Sequence, residues 1–326
     1  AHEASLRDFD QDGFTDIIAT GAEIDWDFSN DPSATSINKA NMLLLNDQNG
    51  GFEPWALRFN LPTQNGETID YGKLLWINAG SGVDAGNLDA DPEYEIVISD
   101  VGVGFGSIPL SDLLVIDNVR FENTYIYGDV VRLPHPFMES HEEFQAAENE
   151  FTKYAPSHDT QIDLFDYDND GDQDIVVYSM VWTPAGLDSA GIAQFLQNDG
   201  NGNFSDVTEN VLYNYNTGTQ GGHEVCYLDI NDDGFPEFLV TVPGADNLVQ
   251  PLGTSVNSGE VCVYDGNKRI SIFRMPGNRE GDQFGVALAM NPVDFDLDGS
   301  PDFIASATNG GAHGLGYTSI CSTNQV

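Results

Sequence analysis

Asp166-Tyr167-Asp168-Asn169-Asp170-Gly171-Asp172-Gln173-Asp174, followed at once by Ile175-Val176-Val177, is the stretch on which the fold turns. Acidic side chains stand at positions 1, 3, 5 and 9, around a glycine at position 6 where the chain can reverse sharply. Oxygen donors at alternating positions around such a turn suit a hard cation such as Ca2+. Without a cation, four carboxylates in one tight turn repel each other strongly. The apolar run behind the loop has the β-branched content of a buried strand.

The pattern occurs five times. The other copies are Asp8-Phe9-Asp10-Gln11-Asp12-Gly13-Phe14-Thr15-Asp16, Asn87-Leu88-Asp89-Ala90-Asp91-Pro92-Glu93-Tyr94-Glu95, Asp229-Ile230-Asn231-Asp232-Asp233-Gly234-Phe235-Pro236-Glu237 and Asp294-Phe295-Asp296-Leu297-Asp298-Gly299-Ser300-Pro301-Asp302. Recurrence every 63 to 79 residues marks a repeat architecture. Each period has room for four short strands, A to D, with the acidic loop joining A to B. Apolar runs such as Ile17-Ile18-Ala19, Leu113-Leu114-Val115-Ile116 and Val261-Cys262-Val263-Tyr264 supply them. Turn clusters such as Asp199-Gly200-Asn201-Gly202 separate C from D. The expected fold is all-β, a β-propeller of four-stranded blades, as a single domain over residues 1–326. Its repeats lie near 1–70, 71–157, 158–220, 221–280 and 281–326, with an inserted loop at 134–157 carrying a short helix near 139–151. The last repeat offers A (284–293), B (302–307) and C (315–321). That blade is therefore incomplete or closed by a strand from elsewhere.

The chain has 326 residues, 11 Lys and Arg against 53 Asp and Glu, and a formal charge of −42. Such a surface does not neutralise phosphates, so neither nucleic acid nor an anionic membrane surface is an expected partner. No run of 18 apolar residues occurs, so membrane insertion by a helix is not expected. Five divalent ions would offset only ten of the charges. Most of the acidity is therefore either a solvated surface suited to a saline, Ca2+-rich, extracellular medium or one face that holds cationic ligands. Three cysteines, Cys226, Cys262 and Cys321, are too few for a disulfide framework. A Cys226–Cys262 bridge and buried free thiols both remain open.

The repeats resemble the FG-GAP / VCBS family, the Ca2+-bearing propellers known from integrin α subunits. The closest match is Phe284-Gly285-Val286-Ala287-Leu288-Ala289 with Asp294 to Asp302 and Phe303-Ile304-Ala305-Ser306-Ala307-Thr308. Leu196-Gln197-Asn198-Asp199-Gly200-Asn201-Gly202-Asn203-Phe204 is of the VCBS variety. The resemblance implies side-chain ligation from positions 1, 3, 5 and 9 and carbonyl ligation from position 7. The implied ligands are Asp8, Asp10, Asp12, Phe14 and Asp16; Asn87, Asp89, Asp91, Glu93 and Glu95; Asp166, Asp168, Asp170, Asp172 and Asp174; Asp229, Asn231, Asp233, Phe235 and Glu237; and Asp294, Asp296, Asp298, Ser300 and Asp302. Four or five Ca2+ ions are implied. Site two is expected to be the weakest, because Pro92 cannot take the positive φ of the turn glycine.

The end of each blade opposite the acidic loops carries the B–C and D–A connections. His2, His158 and His223 precede their loops by six to eight residues, and Trp26 and Trp182 are placed in B–C loops. Polar groups beside exposed aromatics hold sugar rings by stacking and hydrogen bonds. The bland alternatives are histidines that bond between blades and tryptophans that pack loops. The expected function is non-catalytic recognition of a glycan or protein ligand, in adhesion or as a lectin. The alternatives are a polysaccharide lyase or glycoside hydrolase on the same scaffold, or a structural subunit. No nucleophile elbow, His-Glu-x-x-His motif or phosphate loop occurs.

Overall fold

The computed structural model describes residues 4–20, 42–57, 80–100, 113–122, 125–133, 157–182, 189–211, 225–231, 233–242, 247–249, 253–255, 258–268, 270–297, 299, 301–309 and 315–322. These residues are strands and turns, with one helical turn, α1 (Thr208–Val211). The inserted segment at 134–156, with its expected helix, lies outside the described residues, as do His2, Trp26 and His223. No helix among the described residues is long and apolar enough to cross a membrane.

The chain falls into two compact units, Ala1–Leu164 with Asp199–Asn203, and Phe165–Asn198 with Phe204–Val326. In the first unit, repeat one supplies β1 (Ala4–Arg7), β2 (Asp16–Ala19), β3 (Met42–Asn46) and β4 (Phe52–Leu57). Repeat two supplies β5 (Gly80–Gly86), β6 (Glu95–Asp100), β7 (Leu113–Glu122) and β8 (Tyr125–Leu133). Each set is an antiparallel meander. A short parallel pairing of Ala56–Leu57 with Tyr125–Ile126 joins them edge to edge. Phe9, Ile18 and Leu43 pack with Val83, Ile96, Ile98, Leu114, Ile116 and Ile126 in one core. β9 (Ser157–Phe165), the A strand of repeat three, ends this unit.

The second unit holds β10 (Asp174–Trp182), β11 (Ser189–Asn198) and β12 (Phe204–Asp206), the B, C and D strands of repeat three. Repeat four supplies β13 (Val225–Leu228), β14 (Glu237–Val242), β17 (Glu260–Asp265) and β18 (Ile270–Pro276). A small hairpin, β15 (Asn247–Val249) with β16 (Gly253–Ser255), stands in its B–C connection. Repeat five supplies β19 (Phe284–Val293), β20 (Asp302–Ala307) and β21 (Tyr317–Ser322), paired in that order.

Repeat four shows why these strands read as continuous apolar runs. Side chains alternate faces along a strand. Phe238 and Val240 of β14, with Cys262 and Tyr264 of β17, pack on Tyr167, Val176, Tyr178 and Phe195 of repeat three. Leu239, Val261 and Val263 pack instead on Phe284, Phe303 and Ala305 of repeat five. Both faces of the sheet are therefore covered by neighbouring sheets, and all six residues of β14 are buried. Phe195 meets Phe238 edge to face at 4.8 Å across one of these seams. Face-to-face stacking of four-stranded antiparallel sheets is the blade arrangement of a β-propeller.

None of the three cysteines is in a disulfide. Cys226 faces Leu239 and Cys262 faces Val240 across the β13–β14 and β14–β17 ladders, so the possible bridge is not formed. Burial pushes the Cys262 thiol up to about 12 and the Cys321 thiol up to about 11, which leaves both inert.

Candidate functional site

The acidic loops are built by their own carboxylates. The position-1 aspartate accepts the N–H of the turn glycine in four loops: Gly13 to Asp8 at 2.9 Å, Gly171 to Asp166 at 3.0 Å, Gly234 to Asp229 at 2.9 Å and Gly299 to Asp294 at 2.8 Å. Those glycines sit at φ between 90° and 104°, a conformation that only glycine adopts without strain. The position-5 carboxylate accepts the N–H of position 7 in loops one to four, as from Phe14 to Asp12 at 2.9 Å and from Phe235 to Asp233 at 3.0 Å. These Asx turns fix where the oxygens point.

Position 9 does something the sequence did not disclose. In all five loops its carboxylate accepts the N–H of position 2: Phe9 to Asp16, Leu88 to Glu95, Tyr167 to Asp174, Ile230 to Glu237 and Phe295 to Asp302, at 2.5 to 3.2 Å. In loops one and three its second oxygen also accepts the N–H of an asparagine ending strand C, Asn46 to Asp16 and Asn198 to Asp174, each at 2.8 Å. The same asparagines donate their side-chain amides to the position-8 carbonyls of Thr15 and Gln173. Position 9 is thus a clasp between the loop, strand B and strand C, and Asn46 and Asn198 complete it. Their placement in matching Leu-x-Asn-Asp stretches, Leu44 to Asp47 and Leu196 to Asp199, was the available signal.

Four loops bring three carboxylates together with oxygens within 4.8 Å of one another: Asp8, Asp10 and Asp16; Asp89, Asp91 and Glu95; Asp166, Asp168 and Asp170; Asp294, Asp296 and Asp302. In each of these, one buried carboxylate oxygen has no hydrogen-bond partner: Asp8 Oδ1, Glu95 Oε1, Asp168 Oδ1 and Asp302 Oδ1. Buried acceptors are costly to leave unsatisfied. A cation in the loop would satisfy them, so the residues fit a metal ion. In repeat three, position 7 adds a side chain as well, since Asp172 Oδ1 is also buried and unpartnered. Loop four forms no such three-carboxylate group among the described residues; there Asn231 donates its amide to Glu237 at 2.8 Å. Asp298 and Ser300 of loop five lie outside the described residues.

The electrostatics agree with the geometry. Burial first, then the charges of Asp89, Asp117 and Asp91, push Glu95 up to about 7. Burial, then Asp168 and Asp170, push Asp174 up to about 7 against the hydrogen bonds it accepts. Burial and the bond to Asp170 push Asp172 up to about 6. Burial likewise raises Asp10, Asp168 and Glu237. By contrast Asp47 and Asp199, in the C–D turns, are lowered, Asp47 chiefly by its Gly51 N–H and Asp199 by its Asn203 amide. Those turns satisfy themselves and need no ion.

Position 4 links neighbouring loops. Gln11 and Asn169 stand there at φ 59° and 58° and donate their side-chain amides to the position-6 carbonyls of the next loops, those of Pro92 and Gly234. Leu297 holds the same conformation at φ 63° with no amide and its side chain 86% exposed. A leucine in the left-handed region is strained without compensation. Leu297→Asn is expected to stabilise the chain by on the order of 1 kcal/mol, read as a raised urea midpoint; an unchanged or lower midpoint contradicts this.

The order of strand, acidic loop, strand and Asn-Asp turn identifies the repeat. Residues 166–240 match the FG-GAP-like repeat. The matched repeat spans all of loop three, β10 to β12 and loop four as far as Val240 of β14. No curated protein matches the chain by sequence. Among solved structures, the chain is similar to the crystal structure of the exotype rhamnogalacturonan lyase YesX, with a TM-score of 0.43 and 11% identity, over 98% of this chain and 55% of that one. The chain thus spans about half the length of that structure.

On the opposite end of the blades, Trp182 is the last residue of β10, paired with Ser189, so it ends strand B and does not stand inside the B–C loop. The apolar ladder Ile175 to Trp182 carries the strand past the point where the sequence suggested a loop. His158 lies near the start of β9.

Proposed function

We propose that this chain is an extracellular, Ca2+-stabilised recognition module that binds a glycan or protein ligand without chemical turnover. The observation that carries the Ca2+ part is the buried, partnerless carboxylate oxygen in each of four loops. Hard oxygen ligands in a flexible array favour Ca2+ over Mg2+, which demands a stricter octahedron. Bound there, the ion would supply positive charge that lets the carboxylates stay ionised. Asp8, Asp166, Asp229 and Asp294 would hold it from position 1 while orienting the turn, and the position-9 carboxylates would tie it to strands B and C. Millimolar free Ca2+ is chiefly an extracellular condition, which agrees with the FG-GAP-like repeat at 166–240.

The ligand would dock on the end of the blades opposite the acidic loops, where Trp182, His158, His2, His223 and Trp26 belong by their place in the repeats. The A–B loops are occupied with their own carboxylates and the C–D turns are closed on themselves. The B–C and D–A connections alone have length to spare. The test is a glycan array probed with and without EDTA. Ca2+-dependent retention of a defined glycan class is expected, with Trp182→Ala weakening it while melting stays near native. Retention unaffected by Trp182→Ala, or a ligand that maps to the acidic loops, overturns this placement.

A further inference from the structure

The B strands of repeats two, three and four are buried without a break at 95–99, 174–178 and 237–242. Those of repeats one and five are not. In β2 and β20 buried side chains alternate with partly buried ones. Side chains alternate faces along a strand, so among the described residues each of these two sheets has one covered face and one open face.

The register shows which face is open. Repeat four turns Phe238 towards repeat three and Leu239 towards repeat five. Counted from position 9 of the loop, the first residue of strand B thus faces the preceding repeat and the second the following one. Repeat one obeys the same count, since its second residue, Ile18, packs on repeat two. Its first, Ile17, lies between Leu6 and Leu44 across the ladders, on the side of a preceding repeat. Leu6 is 58% exposed there, and Ile17 and Leu44 are only partly buried. In repeat five the first residue, Phe303, packs on repeat four. Its second, Ile304, lies between Ala289 and Ile320, on the side of a following repeat, and Ile320 is 59% exposed.

The acidic loops repeat the asymmetry. Position 2 enters the seam to the following repeat: Phe9 and Tyr167 are buried in such seams, and Ile230 packs at the margin of another. Phe295, at that position of loop five, is 45% exposed. Position 4 of loops one and three grips the next loop through an amide, whereas Leu297 holds the same backbone conformation with an apolar side chain in water. Soluble stacks of repeats end in polar outer faces. The two open faces here carry Leu6, Ile17, Leu44, Ile304 and Ile320 instead.

We infer that the open face of repeat five docks on the open face of repeat one of a second copy, so that chains associate head to tail. The described seams each join a following face to a preceding face, and the chain leaves one of each uncovered, so a second copy supplies the matching half. The shapes suit each other. Ala287, Ala289 and Ser306 keep the repeat-five face low around Ile304 and Ile320, while Leu6, Ile17 and Leu44 rise from the repeat-one face. By the geometry of the loops, Leu297 then lies beside Gly13 and the exposed Phe14 of the second copy, an apolar contact in place of the amide. A contact between two different faces propagates into a ring or a filament.

The test is analytical ultracentrifugation of the full chain in excess Ca2+ and about 0.5 M salt, which screens the like charges of the copies. The native mass is expected to rise with concentration beyond that of two chains. Ile320→Asp and Leu6→Asp are each expected to weaken association by about tenfold or more, because an unpaired carboxylate is costly in an apolar seam. Each variant alone then runs as one chain. Their equimolar mixture runs as a dimer and no larger, since only the intact repeat-five face of the Leu6→Asp chain and the intact repeat-one face of the Ile320→Asp chain can join. Both side chains are exposed, so melting near native is expected of each. Should either variant misfold, Leu297→Asn decides: it weakens association while raising the urea midpoint, a combination that a folding defect does not produce, and undiminished association overturns the inference. A native chain that stays single at every concentration also overturns it. So does association that only one of the two aspartates breaks, or a mixture no larger than its components.

Discussion

Adding EDTA to the folded chain is expected to lower its melting temperature by about 10 °C or more. A cation that binds only the native state stabilises it by mass action, by about 2.7 kcal/mol per site when present at a hundredfold over its dissociation constant. Two such sites would supply about 5 kcal/mol, comparable with the whole stability of many domains. The loops give the loss a structural route. Four of them carry carboxylates within 4.8 Å of one another that the ion would hold together, and position 9 clasps its loop to strand B and, in loops one and three, to strand C. Stripped of its ion, a loop keeps its Asx turns but retains the mutual repulsion. Ca2+ in excess is expected to restore the melting curve and Mg2+ to restore it poorly. Superimposable curves with EDTA and with Ca2+ would sink the Ca2+ proposal.

The loops and strands were legible in the sequence because their causes are local. A glycine forced to φ near 100° and aspartates that bond the next few backbone N–H groups leave the same signature in every copy. Strand B reads as an unbroken apolar run because sheets cover both its faces, as Phe238, Leu239 and Val240 show by dividing between two cores. Two strands of repeat five were visible in the same way, since Phe284 and Phe303 each lie in such a run.

What the sequence hid depends on contacts between residues far apart in the chain. Position 9 reads as one more ligand, and only the pairing of strand C discloses that Asp16 and Asp174 clasp Asn46 and Asn198. Pro92 reads as damage to loop two, and only the fold discloses that its carbonyl accepts the side-chain amide of Gln11 from loop one. The helical turn α1 depends on Asp206, which accepts the Thr208 N–H, and on Thr208 Oγ1, which accepts the Phe195 N–H from another strand. Apart from the Asp206–Thr208 cap, these partners lie far apart in sequence, so no window of pattern or propensity contains both halves of the interaction.

Asp84 is the strongest example, and its removal is expected to have the second large effect. It sits on β5 between Val83 and Ala85, where the strand pattern calls for nothing charged, and it is 3% exposed. Its carboxylate accepts from Ser5 Oγ and from Arg7 Nη2 at 2.8 Å on β1, and from the Leu164 N–H at 3.0 Å on β9. Arg7 Nε meanwhile donates to the Ala85 carbonyl at 2.9 Å. One carboxylate thus fastens the A strands of repeats one, two and three. Asp84→Ala would leave the Leu164 N–H without its acceptor and the guanidinium without its counter-charge. Breaking a buried pair from one side costs about 3–5 kcal/mol. Arg7 is 37% exposed and regains some water, which places the expected loss near about 3 kcal/mol. Asp84→Asn keeps one acceptor oxygen and is expected to cost roughly half as much. Urea unfolding at saturating Ca2+ holds the metal contribution fixed, and a lower midpoint at constant slope is the expected signature. An Asp84→Ala chain within about 0.5 kcal/mol of native would show that the three A strands are held by their apolar faces alone.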